Sequence, residues 1–465
     1  MRRTYKTSAA ILACAVLLHG SGGVAAQQDD HSTSPQSAHQ QTPVSDVEEP
    51  SEGTLEGIPG YGDEGRRIGG PTDVDHDLDF SFPKHDSVLP RLVPEKYFKW
   101  KEDLYEKYGL KLGFSYQAIY QHASATTDFF RLEDENEVAA GRAILEGKWD
   151  MYNRGQDFQG SLVATLDWIT NFTNGKNSPA SWGTFNVGSA WPTDFAYIEW
   201  EPWVPVAYWE QWFKKDRFVL RIGNQIANQI YDFFRFKDPR VAFSGTPLTA
   251  PASAMPFPGP GLAAAFEMWP VKDSPLYIVG TINNQNFVIE EWNWDTAVRE
   301  ADFFYGLEVG YNWARGEGDF DHLHLNLFYA DKPAKNPFPL FPNDSGWGFK
   351  LAGEKQIGRL VGFGSYTYNT AEGGPFGLTL AQNQTTAGLA LLRPFGIRGE
   401  IAMAMSWADP INKNQRDQYG LEAYWKILLL PNVWITPGLQ LIFDPTFNPQ
   451  EDTVAIGQIK ARMSF

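Results

Sequence analysis

The chain has a single cysteine, Cys14, and it lies in an apolar stretch close to the N-terminus. No disulfide framework is available downstream, so stability must come from the fold itself. Past that stretch there is also no uncharged apolar run near the ~20 residues that a membrane-spanning helix requires. Histidine is scarce: eight occur in 465 residues, and His19, His31, His39, His76 and His85 precede the region richest in regular patterning. Only His122, His322 and His324 are left for acid–base or metal chemistry. What is abundant is aromatic and small. Aromatics reach 15%, with 17 Trp and 32 Phe, beside 43 Gly. A chain so aromatic and glycine-rich, yet mildly hydrophilic on average, calls for many short half-apolar elements, and strands suit that better than helices.

Arg2, Arg3 and Lys6 precede an apolar core from Ala9 to Leu18, and Val24-Ala25-Ala26 offer a cleavage site before Gln27. Residues 1–26 are therefore expected to be an export signal. Residues 27–94 are polar, rich in Pro, Gly, Ser and Asp, and hold the greater part of the net charge of −17. That composition predicts a disordered acidic periplasmic arm. In "PEKYFKWKEDLYEKYGL", Tyr97, Trp100, Leu104 and Tyr108 recur at helical spacing and Gly109 supplies a stop, predicting a short amphipathic helix over 95–109.

From Leu110 onward, alternating segments recur between turn signals. They predict strands at 110–121, 139–151, 157–171, 193–202, 216–227, 261–269, 276–283 and 303–313, then 321–330, 346–356, 359–370, 383–392, 397–408, 417–429, 432–443 and 452–465. Connections after even strands are mostly short, among them "YNRGQ", "PVKDSP", "RPFG" and "LP"; those after odd strands are mostly long. The Trp-rich stretch 203–215 after the fourth strand breaks this parity. The two faces of each strand differ in polarity. Leu307, Val309, Tyr311 and Trp313 oppose Glu308, Gly310 and Asn312; Leu323, Leu325 and Leu327 oppose His322, His324 and Asn326. In water, each apolar face would need a covering layer, and the chain offers almost no helix to provide one. Closing the sheet around a polar lumen with lipid outside removes both the need and the edges. The fold class is an all-β transmembrane antiparallel barrel of about sixteen strands over 110–465.

Aromatics at strand ends (Trp149, Trp200, Tyr311, Trp313, Tyr329, Trp407) suit interfacial girdles. The denser cluster from Trp191 to Trp212 fits either a sugar path or girdle and turn packing. The longest connection, 228–260, holds Tyr231, Asp232, Phe233, Phe234, Arg235, Lys237, Asp238 and Arg240 within ten residues. Charges beside rings suit a sugar, which takes hydrogen bonds in its plane and stacking on its face; a solvated external loop is the plainer reading. Arg217 and Arg221 are placed inward, with Arg142, Glu146, Glu199, Glu308, Lys350 and Glu354. Their mixed signs point to a neutral polar solute, since an anion pore would carry a basic ring. Spacing suggests no catalytic triad, so no enzyme activity is expected, nor any metal or other cofactor.

The C-terminal stretch "QYGLEAYWKILLLPNVWITPGLQLIFDPTFNPQEDTVAIGQIKARMSF" resembles the carbohydrate-selective porins of Gram-negative outer membranes, the OprB type. Gly420, Glu422 and Tyr424 look like that family's penultimate hairpin, and Ile435 to Pro449 like its TP–LQ–NP segment, with Asp444 where Asn is usual. "GPGLAAAFEMWPVKDSPLYIVGTINNQN" resembles its central hairpin and "FSGTP" a patch of its long loop. Its glycine- and tryptophan-rich lead-in to the first strand is not recognisable here. The resemblance implies a sixteen-stranded outer-membrane channel, trimeric or monomeric, that passes monosaccharides or other small sugars by facilitated diffusion. General small-solute passage and an outer-membrane barrel enzyme are the alternatives. Implied partners are outer-membrane lipid and lipopolysaccharide, sugar solutes and the barrel assembly machinery, whose signal the terminal Phe465 resembles; no nucleic acid is implied.

Overall fold

The computed structural model describes residues 70–83, 87–89, 95–129, 135–173, 177–198, 200–214, 217–249, 254–271, 274–286, 291–313, 321–334, 344–370 and 380–465. The expected export signal and most of the expected arm lie outside the described residues. The strands are β1 (Leu110–Ala123), β2 (Glu137–Tyr152), β3 (Gly160–Asn171), β4 (Trp200–Lys214), β5 (Phe218–Gln225), β6 (Gly261–Met268), β7 (Leu276–Asn284) and β8 (Phe303–Asn312). They continue as β9 (His322–Ala330), β10 (Gly346–Ile357), β11 (Leu360–Asn369), β12 (Ala381–Leu392), β13 (Gly399–Pro410), β14 (Gln418–Leu430), β15 (Val433–Phe443) and β16 (Thr453–Ser464). Each strand pairs antiparallel with its sequence neighbours, and β1 pairs with β16 from Ser115↔Ser464 to Ala123↔Ile456, closing the barrel. No helix among the described residues is long and apolar enough to cross a membrane; the chain crosses with strands.

Alternation sets the two surfaces. On β16, Val454, Ile456, Gln458, Lys460 and Arg462 are buried toward the lumen, whereas Ile459 between them is exposed. On β2, Glu146, Lys148 and Asp150 point in while Leu145, Trp149 and Met151 point out. The outer wall carries Trp149, Tyr311, Trp313 and Tyr329, all exposed. Trp200, expected in this girdle, instead faces inward and is buried against Trp203, their rings T-shaped at 5.7 Å.

The fourth strand differs from expectation. It runs from Trp200 to Lys214, through the stretch assigned above to a loop, and 193–198 belongs to a connection that folds into the lumen. With β4 in place, the connection to β5 shrinks to 215–217 and the parity exception disappears. Pro202 and Pro205 hid this strand, because proline removes a ladder donor. The barrel accommodates them at two register shifts against β3, Pro205 between Thr165↔Val206 and Asp167↔Trp203 and Pro202 between Asp167↔Trp203 and Ile169↔Trp200.

The lumen is partly filled. Residues 70–83, which composition assigns to the disordered arm, include a helix at Val74–Phe80 that is buried inside the barrel. A second helix, Glu95–Tyr108, precedes β1 and buries Phe98 and Lys101. Val74, Leu78, Phe82 and Phe98 pack against Val163, Val206 and Tyr208 of the wall. On β1, Gly113 leaves the notch that Leu78 occupies: a Cβ there would stand 3.2 Å from a Leu78 methyl. Small inward residues elsewhere likewise mark occupied space. A Cβ on Gly310 would meet the Tyr277 ring at 2.1 Å, and Ala402 and Ala404 lie in a cluster with Phe243 and Phe363.

Candidate functional site

The connection between β5 and β6 (226–260) turns inward instead of projecting into solvent. Its apolar side chains form two anchors. Tyr231 and Phe257 pack with Tyr277, Phe304 and Phe328 on one side, and Phe236 and Phe243 with Phe363 and Tyr424 on the other. Polar anchors then fix the backbone. Asp232 accepts from Lys350 Nζ at 2.6 and 2.7 Å and from Asn326 at 3.1 Å, with His324 Nε2 3.3 Å away. Glu308 accepts the Asp232 amide at 2.7 Å and the Tyr277 hydroxyl at 2.7 Å. Glu422 accepts the amides of Ser244 and Gly245, and Lys460 donates to Pro239 O and Ser244 Oγ. Burial pushes the Asp232 carboxyl up, but Lys350 and His324 outweigh it and hold the group well below the usual carboxylate range.

Where the inner loop, the β3–β4 connection and the N-terminal segment meet, a cavity of about 100 Å³ remains. At the ~10–15 Å³ that one water needs, it holds roughly seven to ten waters, the scale of one sugar ring. Arg142 and Arg240 reach it from opposite elements, Asn228 and Gln229 offer amides, and Phe195, Trp200 and Phe257 offer rings. Arg142 is oriented by Asp167 (Nε to Oδ1, 3.0 Å) and by the Ala196 carbonyl (2.8 Å). Arg240 is held by Asp77 at 2.6 and 2.7 Å and by Asp238 at 2.6 Å. Among the described residues, the indole N–H of Trp200 finds no acceptor. Both guanidinium charges are compensated, so the cavity presents donors without a net cationic field.

The residues expected at a sugar site therefore separate. Arg142 and Arg240 line the cavity. Glu308, Lys350, Glu354, Tyr231 and Arg235 hold the loop: Tyr231 donates to Leu327 O at 2.9 Å, and Arg235 lies 3.8 Å from Glu354 and bonds Gln356. Phe234 packs on Phe236 and Phe363. Arg221 and Glu146 lie beside the inner helix, where Arg221 bonds Asp73 and Glu210. Arg217, expected inward, instead braces the neighbouring turn through the carbonyls of Trp269 and Pro270. Glu199 lies outside the described residues. His322 and His324 stack at 4.9 Å and 4°, and among the described residues no group of three or more His, Cys, Asp or Glu is arranged to hold a metal ion. Missed altogether were Asp73, Asp75 and Asp77, whose partners lie far away in sequence.

A closed sixteen-stranded barrel with an apolar outer wall and an inward-folded loop defines an outer-membrane porin. Residues 375–465 match the family model of the carbohydrate-selective porin, OprB family. Over those residues the chain is similar to OprB-type porins, and the barrel around them is that of a Gram-negative outer-membrane porin. The high-pH structure of Pseudomonas putida OprB is similar at a TM-score of 0.61 and 11% identity, covering 80% of this chain and 97% of that one. The low-pH structure of the same protein gives 0.44 at 10%, covering 80% and 98%. A mutant of Rh. blastica porin gives 0.42 at 10%, covering 77% and 100%. At these identities the first match establishes the fold alone. No curated protein sequence matches the chain.

Proposed function

We propose that this barrel is a passive channel for small neutral carbohydrates such as monosaccharides, with Arg142 and Arg240 as the donors that meet sugar hydroxyls. The observation that carries the reading is the cavity itself: two charge-compensated guanidinium groups, two amides and three aromatic rings around a space the size of one sugar ring. An enzyme reading has no such support: the inward-facing wall histidines are committed to the inner loop, His324 facing Asp232 and His322 lying 3.2 Å from Phe233 O and 3.5 Å from Glu354, and His76 of the inner helix lies beside Phe80, ring centroids 5.9 Å apart. We also propose that the barrel assembly machinery inserts the chain by its final strand, and that a homotrimer is the assembly to look for by cross-linking in native membranes. The test of function is conductance of the purified protein in planar bilayers. Soluble monosaccharides or disaccharides reduce it in a saturable way. Steady conductance that no sugar affects, with equal passage of unrelated small solutes, would replace the carbohydrate reading by a general porin.

A further inference from the structure

The inner helix carries aspartates at alternate positions, Asp73, Asp75, Asp77 and Asp79, and the first three are spent on cations of the barrel and its loop. Asp73 caps the helix through the Val74 amide at 2.7 Å and takes Arg221 of β5 at 2.8 Å. Asp75 takes Lys148 of β2 at 2.8 Å. Asp77 takes Arg240 of the inner loop and Arg462 of β16, the latter at 2.7 Å. The side chains of all four cations are almost wholly buried. Of the wall and loop acids, Glu210 serves both Lys148 and Arg221, and Asp238 serves both Arg240 and Arg462. Glu210 and Asp238 leave two of these four positive charges unmatched, and the three helix carboxylates turn that excess into one of negative charge; Glu146 of β2 and Glu267 of β6 lie close to the same cations. Gly113 accommodates Leu78 and Phe80 stacks on Trp434 at 5.4 Å, so the helix is seated by shape as well as by charge.

We propose that the helix Val74–Phe80 is a built-in counter-ion that sets the charge selectivity of the pore: Asp73, Asp75 and Asp77 cancel a cationic wall that would otherwise favour anions. The inference rests on the channel reading and deepens it, since it names what offsets Lys148, Arg221, Arg240 and Arg462 in a lumen suited to neutral solutes. Without those carboxylates the local balance moves by three positive charges, and Lys148, Arg221, Arg240 and Arg462 outnumber Glu210 and Asp238, an excess of the sign that favours anions. Arg240 joins the two, since it lines the cavity and is held by Asp77 of the helix.

The test is the reversal potential of the purified protein in planar bilayers under a potassium chloride gradient. Asp73→Asn/Asp75→Asn/Asp77→Asn is expected to raise the chloride-to-potassium permeability ratio by about threefold or more. A triple variant that migrates as a folded barrel with an unchanged ratio overturns the proposal. If the triple variant does not assemble, Asp75→Asn alone decides, because its carboxylate is the most exposed of the three at 23%. It should shift the ratio in the same direction by a smaller amount, and no shift overturns the proposal. Sugar block of the unmodified channel is recorded separately: its absence removes the carbohydrate reading without touching the ion ratio.

Discussion

Asp232 of the inner loop grips Lys350 of β10 with both carboxylate oxygens, at 2.6 and 2.7 Å, and both side chains are buried. The pair is the loop's strongest tie to that wall. Lys350→Met leaves the buried Asp232 with His324, Asn326 and the charge of Lys237 near it but without its bidentate partner, and breaking a buried pair from one side costs about 3–5 kcal/mol. Single-channel recordings should show frequent conductance steps in this variant, absent from the parent. Asp232→Asn added to Lys350→Met should quieten the trace, because the stranded charge is gone.

Arg142 donates to Asp167 and Ala196 on one side and lines the cavity on the other. Arg142→Ala should weaken sugar block by about tenfold, the equivalent of ~1.4 kcal/mol. Glu354→Gln, at a loop anchor away from the cavity lining, should leave block within about twofold of the parent. Sugar titrations of bilayer conductance compare them.

Asp194, in the β3–β4 connection, is fully buried. Burial pushes its carboxyl up from 3.8 to about 7, against the pull of Lys460 and the Ala196 amide. Between those values the folded state binds a proton that the unfolded state does not, so this group adds stability as pH falls from about 7 toward 3.8. Asp194→Asn removes that contribution. Denaturation midpoints in detergent at about pH 5 and about pH 8 should differ less in the variant than in the parent.

Phe465 and Phe114 exchange both backbone hydrogen bonds, at 2.7 and 2.8 Å, and extend the seam between β16 and β1. Deleting Phe465 removes the pair and the terminal aromatic together. The amount of folded barrel in outer membranes should fall, while channels that do insert should conduct as the parent does. Heat-modifiable mobility and single-channel amplitude separate the two effects.

Much of the barrel was legible because alternation is local. A period-two pattern such as Val454, Ile456, Gln458, Lys460 and Arg462 is fixed by the pleat, whatever the rest of the chain does. β4 was not legible, because Pro202 and Pro205 argue against a strand and only the two register shifts opposite Thr165, Asp167 and Ile169 make room for them. The inner helix was illegible for a different reason. "VDHDLDF" alternates like a strand and is charged like a disordered arm, and seven residues are too few to hold a helix alone. It is held by Lys148, Arg221, Arg240 and Arg462 and by the wall that packs on Val74 and Leu78, none of which a local pattern connects to it. The site divided along the same line. Inward charge could be read from strand parity, but whether a charge met solute or loop depended on a connection whose path the sequence does not encode locally.

The bond from Arg462 to Asp77 joins residues 385 positions apart. One partner stands in the last strand and the other in a segment preceding the first, so the contact crosses the place where the barrel closes. The strand that pairs with β1 to shut the wall also gives the inner helix one of its cations. Wall and lining are fastened to each other by the same strand, so a change that loosens β16 loosens both.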